Sequence, residues 1–347
     1  MSRLEDALAL VRVGSVSGHE SELANLVARR LRASEHLDVE RVGDNVVART
    51  TGLHSHRVIV AGHLDTVPGD NDARVESGAV YGLGAADMKA SLSVMLELAE
   101  VAHRPVEVTW VFYAREEIAR RESGLLELAE LRPDLLEGDV AILGEPTGGV
   151  VEAGCQGTLR AMVRLTGARA HSARPHQGRN AIHRLAPLLE RVAAYEPRVV
   201  HLDGVDFVEQ LQAVRVEGGV ANNVVPDEAI VVLNHRVAPD RDRANAETWL
   251  REYLAVVLES DDHVEFLDWA PPASPSLANE RLAHLVALTG CPPRAKVGWT
   301  DVATFAERGV PAANFGAGDP LLAHTAHEVV SAGELDEYAR VLGEWLG

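Results

Sequence analysis

Cysteine is nearly absent from this chain. Cys155 and Cys291 are the only two, too few for the disulfide framework that staples small secreted domains. A reducing compartment, and with it the cytoplasm, is the expectation. Long apolar runs are also missing. None reaches the roughly 20 residues that cross a bilayer, and the stretch from Met1 to Val13 is charged and helix-like, without a signal-peptide core. Positive charge is short as well. Lys and Arg number 33 against 52 Asp and Glu, a net charge of −19. That balance argues against a nucleic-acid or membrane partner. No internal repeat and no low-complexity tract occurs.

What remains is an ordinary soluble composition, 46% hydrophobic and 24% charged over 347 residues, long enough for two domains. Helical periodicity covers about Leu4 to Arg32, broken at Gly14–Gly18, where Ser15 or Ser17 could cap the second helical stretch. Strand-like runs lie near 38–50, 57–62, 106–113 and 139–143, and helices fit Lys89–Ala102 and Gly124–Leu131. The alternation predicts an α/β domain, a sheet with helices on both faces. The texture changes near Gln156. Strands at Thr158–Thr166, Leu211–Val216 and Ala229–Val237 and helices at Asn180–Tyr195 and Ala244–Leu258 predict an inserted α+β module. Pro271–Pro275 reads as the linker back. The expected division is 1–156 with 268–347 as one domain and 157–267 as the other.

Two segments carry most of the chemistry: Ala61-Gly62-His63-Leu64-Asp65-Thr66 and Tyr113-Ala114-Arg115-Glu116-Glu117. Each ends an apolar strand, and such strand ends converge where ligands bind in α/β sheets. His63 and Asp65, two apart, point the same way at a strand end, so one can bind metal while the other orients it; a solvated turn would look the same. Asp87 lies in a Gly-rich loop before a helix, where it could equally be a cap. Glu116-Glu117 would be surface charge if it did not follow Val108–Phe112. Glu145 and His324 complete the set, each in a loop. Together His63, Asp87, Glu117, Glu145 and His324 are a zinc-type donor set. Paired metals activate water and polarise carbonyls, and Glu116 is left over as a proton shuttle.

At this point the chain resembles a family, the dinuclear zinc amidohydrolases that include aminoacylases, glutamate carboxypeptidases, acetylornithine deacetylase and succinyl-diaminopimelate desuccinylase. The likeness runs nearly end to end. It covers Ser15–Glu20, the five ligand segments, Ala170-His171-Ser172-Ala173-Arg174-Pro175, Asn222–Asp227, Asn314-Phe315-Gly316 and Ala323-His324-Thr325. The resemblance implies a mixed-sheet zinc-peptidase catalytic domain with an inserted lid and dimerisation domain. It implies two zinc ions, with cobalt as a substitute. His63 and Glu145 would hold one ion, Glu117 and His324 the other, and Asp87 both. Asp65 would support His63, Glu116 would act as general base and acid, and the Asp87-Met88 peptide would be cis.

His171 matches a lid histidine that stabilises an oxyanion in a partner's site, which implies a homodimer. Arg236, Asn223, Arg174, Thr158 and Thr300 match substrate-contacting positions. Arg115 departs from the family, which often has Asp there, and puts a positive charge near the site. His327 competes with His324, but only His324 precedes Thr325. Within the family, 154–158, 170–175, 298–303 and 316–320 look most like desuccinylases. That implies hydrolysis of N-succinyl-LL-2,6-diaminopimelate, a small acidic N-acyl amino acid for which Arg174, Arg179 and Arg236 supply cations. Acetylornithine or another N-acyl amino acid is the alternative substrate, and a metal-binding scaffold the non-enzymatic one.

Overall fold

In the computed structural model, which describes residues 2–52 and 54–347, the apolar runs Arg57–His63, Glu107–Tyr113 and Val140–Leu143 are neighbouring parallel strands. They form the centre of an eight-stranded mixed sheet. The hairpin Leu37–Val42 and Asn45–Thr50 adds antiparallel strands on one side, and Ala312–Asn314, Glu152–Ala153 and Arg294–Ala295 complete the other.

Strand alternation explains why these runs are mainly apolar. Val58, Val60, Trp110, Phe112 and Ile142 enter one core, with helices Arg3–Val11, Ser21–Arg32, Ala90–Ala99 and Ala332–Leu346. Ile59, Ala61, Val111, Tyr113 and Leu143 enter the other, with helices Gly124–Leu131 and Val302–Glu307. A strand buried on both faces has no polar position to alternate with. Each buried Val, Leu, Ile or Phe among them contributes about 1.5–3 kcal/mol.

The second sheet is antiparallel throughout, in the order Gln210–Gly218, Glu228–Val237, Gly157–Thr166, His263–Ala270. Its two central strands alternate buried and half-exposed residues. Helices Leu185–Ala193 and Arg243–Leu254 cover the inner face through Leu185, Leu188, Val192, Leu250 and Leu254. The chain departs after Glu152–Ala153 and returns at Arg294–Ala295, which pairs with Glu152–Ala153 in parallel. The architecture is thus α/β: a mixed sheet helical on both faces, with an inserted sheet helical on one.

Several local expectations are corrected. Neither Ser15 nor Ser17 caps the second helix. Ser15 Oγ donates to the Leu64 carbonyl at 2.8 Å and Ser17 Oγ to Asp65 Oδ2 at 2.7 Å, so both tie this turn to the His63 strand end. The helix expected from Asn180 starts at Leu185. Pro187 explains this, since proline fits only the first helical turn. The helix expected from Lys89 starts at Ala90, after a turn at Ala85–Lys89 in which Asp87 and Met88 are non-helical. The strand His263–Ala270 and the hairpin Val199–Leu202 with Val205–Val208 were not anticipated. Among the described residues no helix is long and apolar enough to cross a membrane.

Candidate metal centre

Three parallel strands end at the same edge of the large sheet, and each delivers a candidate ligand there. His63 is the last residue of its strand. Glu116 and Glu117 follow Tyr113 through Ala114 and Arg115, and Glu145 follows Leu143 through Gly144. Asp87 comes from the turn before the Ala90–Ala99 helix, and that turn presses on the strand end. A Cβ at Gly62 would stand 2.5 Å from Met88 Cε and 2.7 Å from Leu92 Cδ2, so a larger residue would make these side chains shift. The Asp87-Met88 peptide is cis.

His63 is almost fully buried, its ring edge-on to Tyr113. Its Nδ1 lies 3.0 Å from the Asp65 carbonyl and 3.5 Å from Asp65 Oδ1, which leaves Nε2 facing Asp87 Oδ1 at 2.9 Å. Asp65 does more than support this ring. Its Oδ1 accepts the Glu116 N–H and its Oδ2 the Glu117 N–H, both at 3.0 Å, and Ser17 Oγ at 2.7 Å. One buried carboxylate therefore orients both the histidine and the Glu-Glu pair. Arg115 takes a left-handed conformation, φ 60°. Its guanidinium donates to Glu127 Oε2 at 2.6 Å and to the Glu122 carbonyl at 2.7 Å. The positive charge anticipated near the site is engaged by Glu127.

The ligand atoms converge in three overlapping triplets; one joins His63 to Glu116 and Glu117, and the other two share Asp87. In these two, His63, Asp87 and Glu145 lie within 4.8 Å of one another, and so do Asp87, Glu117 and His324. His324 Nε2 stands 2.8 Å from Glu117 Oε1 and 3.4 Å from Asp87 Oδ2. His327 joins none of the three.

The electrostatics fit a cation. Burial and the neighbouring Asp87 push the Glu145 carboxyl up to about 7. Burial and Glu145 push Glu116 well above the usual carboxylate range. Asp87 goes the other way: His324 and His63 outweigh its burial and hold it down. Its hydrogen bonds to Asp87 and Glu117 raise His324 to about 10. Glu145 Oε1 is buried with no hydrogen-bond partner, and an orphaned carboxylate oxygen among other carboxylates is a costly arrangement unless a cation joins it.

The remaining anticipated residues lie apart from this cluster in hydrogen bonding. Arg236 and Thr158 are cross-strand partners, and Arg236 Nη1 donates to Thr158 Oγ1 at 2.7 Å. His171, Arg174 and Asn223 are exposed and share one surface: His171 pairs with Val224 in a short ladder, and the Asn223 carbonyl accepts the Ser172 N–H at 2.9 Å. Thr300 is buried and its hydroxyl is used by Asn314 Oδ1 at 3.0 Å.

Two further residues were not anticipated. Lys296 Nζ lies 2.9 Å from Glu152 Oε2, and its charge is favoured by nearby Glu145. Glu328 is buried and accepts main-chain N–H groups of Ala86, Asp87 and His324. Its one sequence signal is its place four residues after His324, just before Val329-Val330.

Residues 59–347 match peptidase family M20/M25/M40. A Corynebacterium glutamicum succinyl-diaminopimelate desuccinylase is 42% identical over 97% of this chain and 94% of its own. A Mycobacterium tuberculosis protein provisionally given the same name is 46% identical over 99% of this chain and 98% of its own. Among solved structures, a Staphylococcus aureus tripeptidase shares the fold with a TM-score of 0.80 at 21% identity, covering 99% of this chain and 96% of its own. A dinuclear metal-binding M20 peptidase from Bacillus subtilis shares it with a TM-score of 0.74 at 15% identity, covering 99% and 96%.

Proposed function

The chain belongs to peptidase family M20/M25/M40, and we propose that this amidohydrolase splits N-succinyl-LL-2,6-diaminopimelate with water into succinate and LL-2,6-diaminopimelate. The carrying observation is the pair of triplets that share Asp87, with Glu116 beside them. The activity named for relatives at 42% and 46% identity over nearly the whole chain supports the choice of substrate.

On this reading His63 and Glu145 would hold one zinc ion, Glu117 and His324 the other, and Asp87 would serve both, with cobalt able to substitute. The chemistry such a pair supplies is Lewis acidity, a more acidic water and a polarised carbonyl. Glu116 then takes a proton from the attacking water and returns it to the departing amine nitrogen. Asp65 fixes where Glu116 points through the main-chain N–H it accepts.

Arg236, Arg174, Asn223, Thr158 and Thr300 are the proposed substrate contacts, with the cations facing the succinyl carboxylate. We divide the chain into a catalytic part, 1–156 with 268–347, and an inserted part, 157–267. The inserted part would pair with a second copy, and His171 would serve the partner's site. The reaction would take place in the cytoplasm, in keeping with two free cysteines.

Rates of metal-loaded protein on N-succinyl-diaminopimelate, N-acetylornithine and N-acetyl amino acids test the substrate. A site built to pair a carboxylate rejects an analogue lacking it by up to about 10⁴-fold in kcat/KM. The succinyl compound should be fastest by at least one to two decades, on the order of a single lost charged hydrogen bond. Faster turnover of N-acetylornithine would overturn the assignment.

A further inference from the structure

Glu328 stands between the two chain segments that bring Asp87 and His324 together. It is 2% exposed. Its Oε2 accepts the N–H of Ala86 at 3.1 Å and of Asp87 at 3.3 Å, and its Oε1 accepts the N–H of His324 at 3.3 Å. Its own carbonyl accepts the Gly82 N–H at 3.3 Å. These carboxylate contacts come from main-chain amides on two segments far apart in sequence. A buried carboxylate is tolerated only when such donors satisfy it.

The two triplets that share Asp87 depend on this carboxylate unequally. His63 ends a strand bonded on both sides, and Glu145 follows another strand of the same sheet after Gly144. His324 has no such frame. It lies outside helix and strand, its side chain is 48% exposed, and its φ of 62° is a left-handed conformation that costs a non-glycine residue about 1–2 kcal/mol. The N–H bond to Glu328 is what ties its backbone to the Asp87 turn.

We infer that Glu328 is a positioning residue that sets the Asp87–Glu117–His324 metal position by holding the main chain of Asp87 and His324 in mutual register, without itself touching metal. This rests on the two-metal reading of the site. Glu328→Gln keeps the shape but leaves one acceptor oxygen, and turns an NH₂ group toward a main-chain N–H.

The test is a stepwise zinc titration of metal-free wild type and Glu328→Gln against a competing chelator, with thermal melting of the metal-free proteins. Loss of a group that orients a ligand typically costs about 10–100-fold in metal affinity. One of the two equivalents should weaken by that factor, the other should stay within about threefold of wild type, and the metal-free melting temperature should hold within a few degrees. Equal weakening of both equivalents would show a general structural role and overturn the inference, as would two unchanged affinities. A wild type that fails to take two equivalents would remove the two-metal reading itself. If Glu328→Gln does not fold, Glu328→Asp, which keeps the charge but shortens its reach, takes its place under the same two outcomes.

Discussion

Glu116 groups with His63 and Glu117 but belongs to neither of the triplets that share Asp87. A group that moves protons without holding metal leaves a clear signature. Glu116→Gln should keep its zinc, measured by metal analysis, while kcat falls by about 10²–10⁴-fold. A rate within about threefold of wild type would remove Glu116 from proton transfer. The candidate ligands His63, Glu117 and Glu145 stand out in the sequence because each follows an apolar strand, and Asp87 because it sits in a Gly-rich turn, whereas His324 is marked only by the Ala323-His324-Thr325 match. Arg115 was not legible, since nothing local shows that its side chain turns back to Glu127. Nor was Glu328, which acts through main-chain N–H groups 242 and 241 residues away. Side-chain patterns cannot announce a contact made to a backbone.

At the scale of elements, the central strands of the large sheet were legible because burial on both faces makes them mainly apolar, whereas Glu152–Ala153, Arg294–Ala295 and Ala312–Asn314 are only two or three residues long and were not. The strand His263–Ala270 was hidden for another reason. His263, Glu265 and Asp268 interrupt it, and a register shift between Phe266 and Asp268 breaks its alternation. The strand Gln210–Gly218 forms one edge of the inserted sheet, with Val214 56% and Val216 50% exposed. An edge of that kind is a template for pairing with another chain. On the proposed dimer, Val216→Lys should weaken association. Light scattering should give twice the 37.4 kDa chain mass for wild type and move toward one chain for the variant. A wild type that is monomeric at micromolar concentration would contradict pairing through this edge.

Over the whole molecule, the connection order does the work that no single segment does. Parallel strands place His63, Glu116-Glu117 and Glu145 at one sheet edge. The turn at Ala85–Lys89 and the segment before Val329–Ser331 bring Asp87 and His324 to the same place. Segments spread over more than 250 positions thus supply five candidate ligand side chains, and Asp87 is common to the two triplets that include it. The most direct measurement is therefore the metal content of purified, metal-loaded protein compared with Asp87→Ala. The wild type should approach about two divalent ions per chain, as a two-metal hydrolase requires, and Asp87→Ala should fall well short of that. Full occupancy in the variant would contradict the shared role of Asp87 and the two-metal centre built on it.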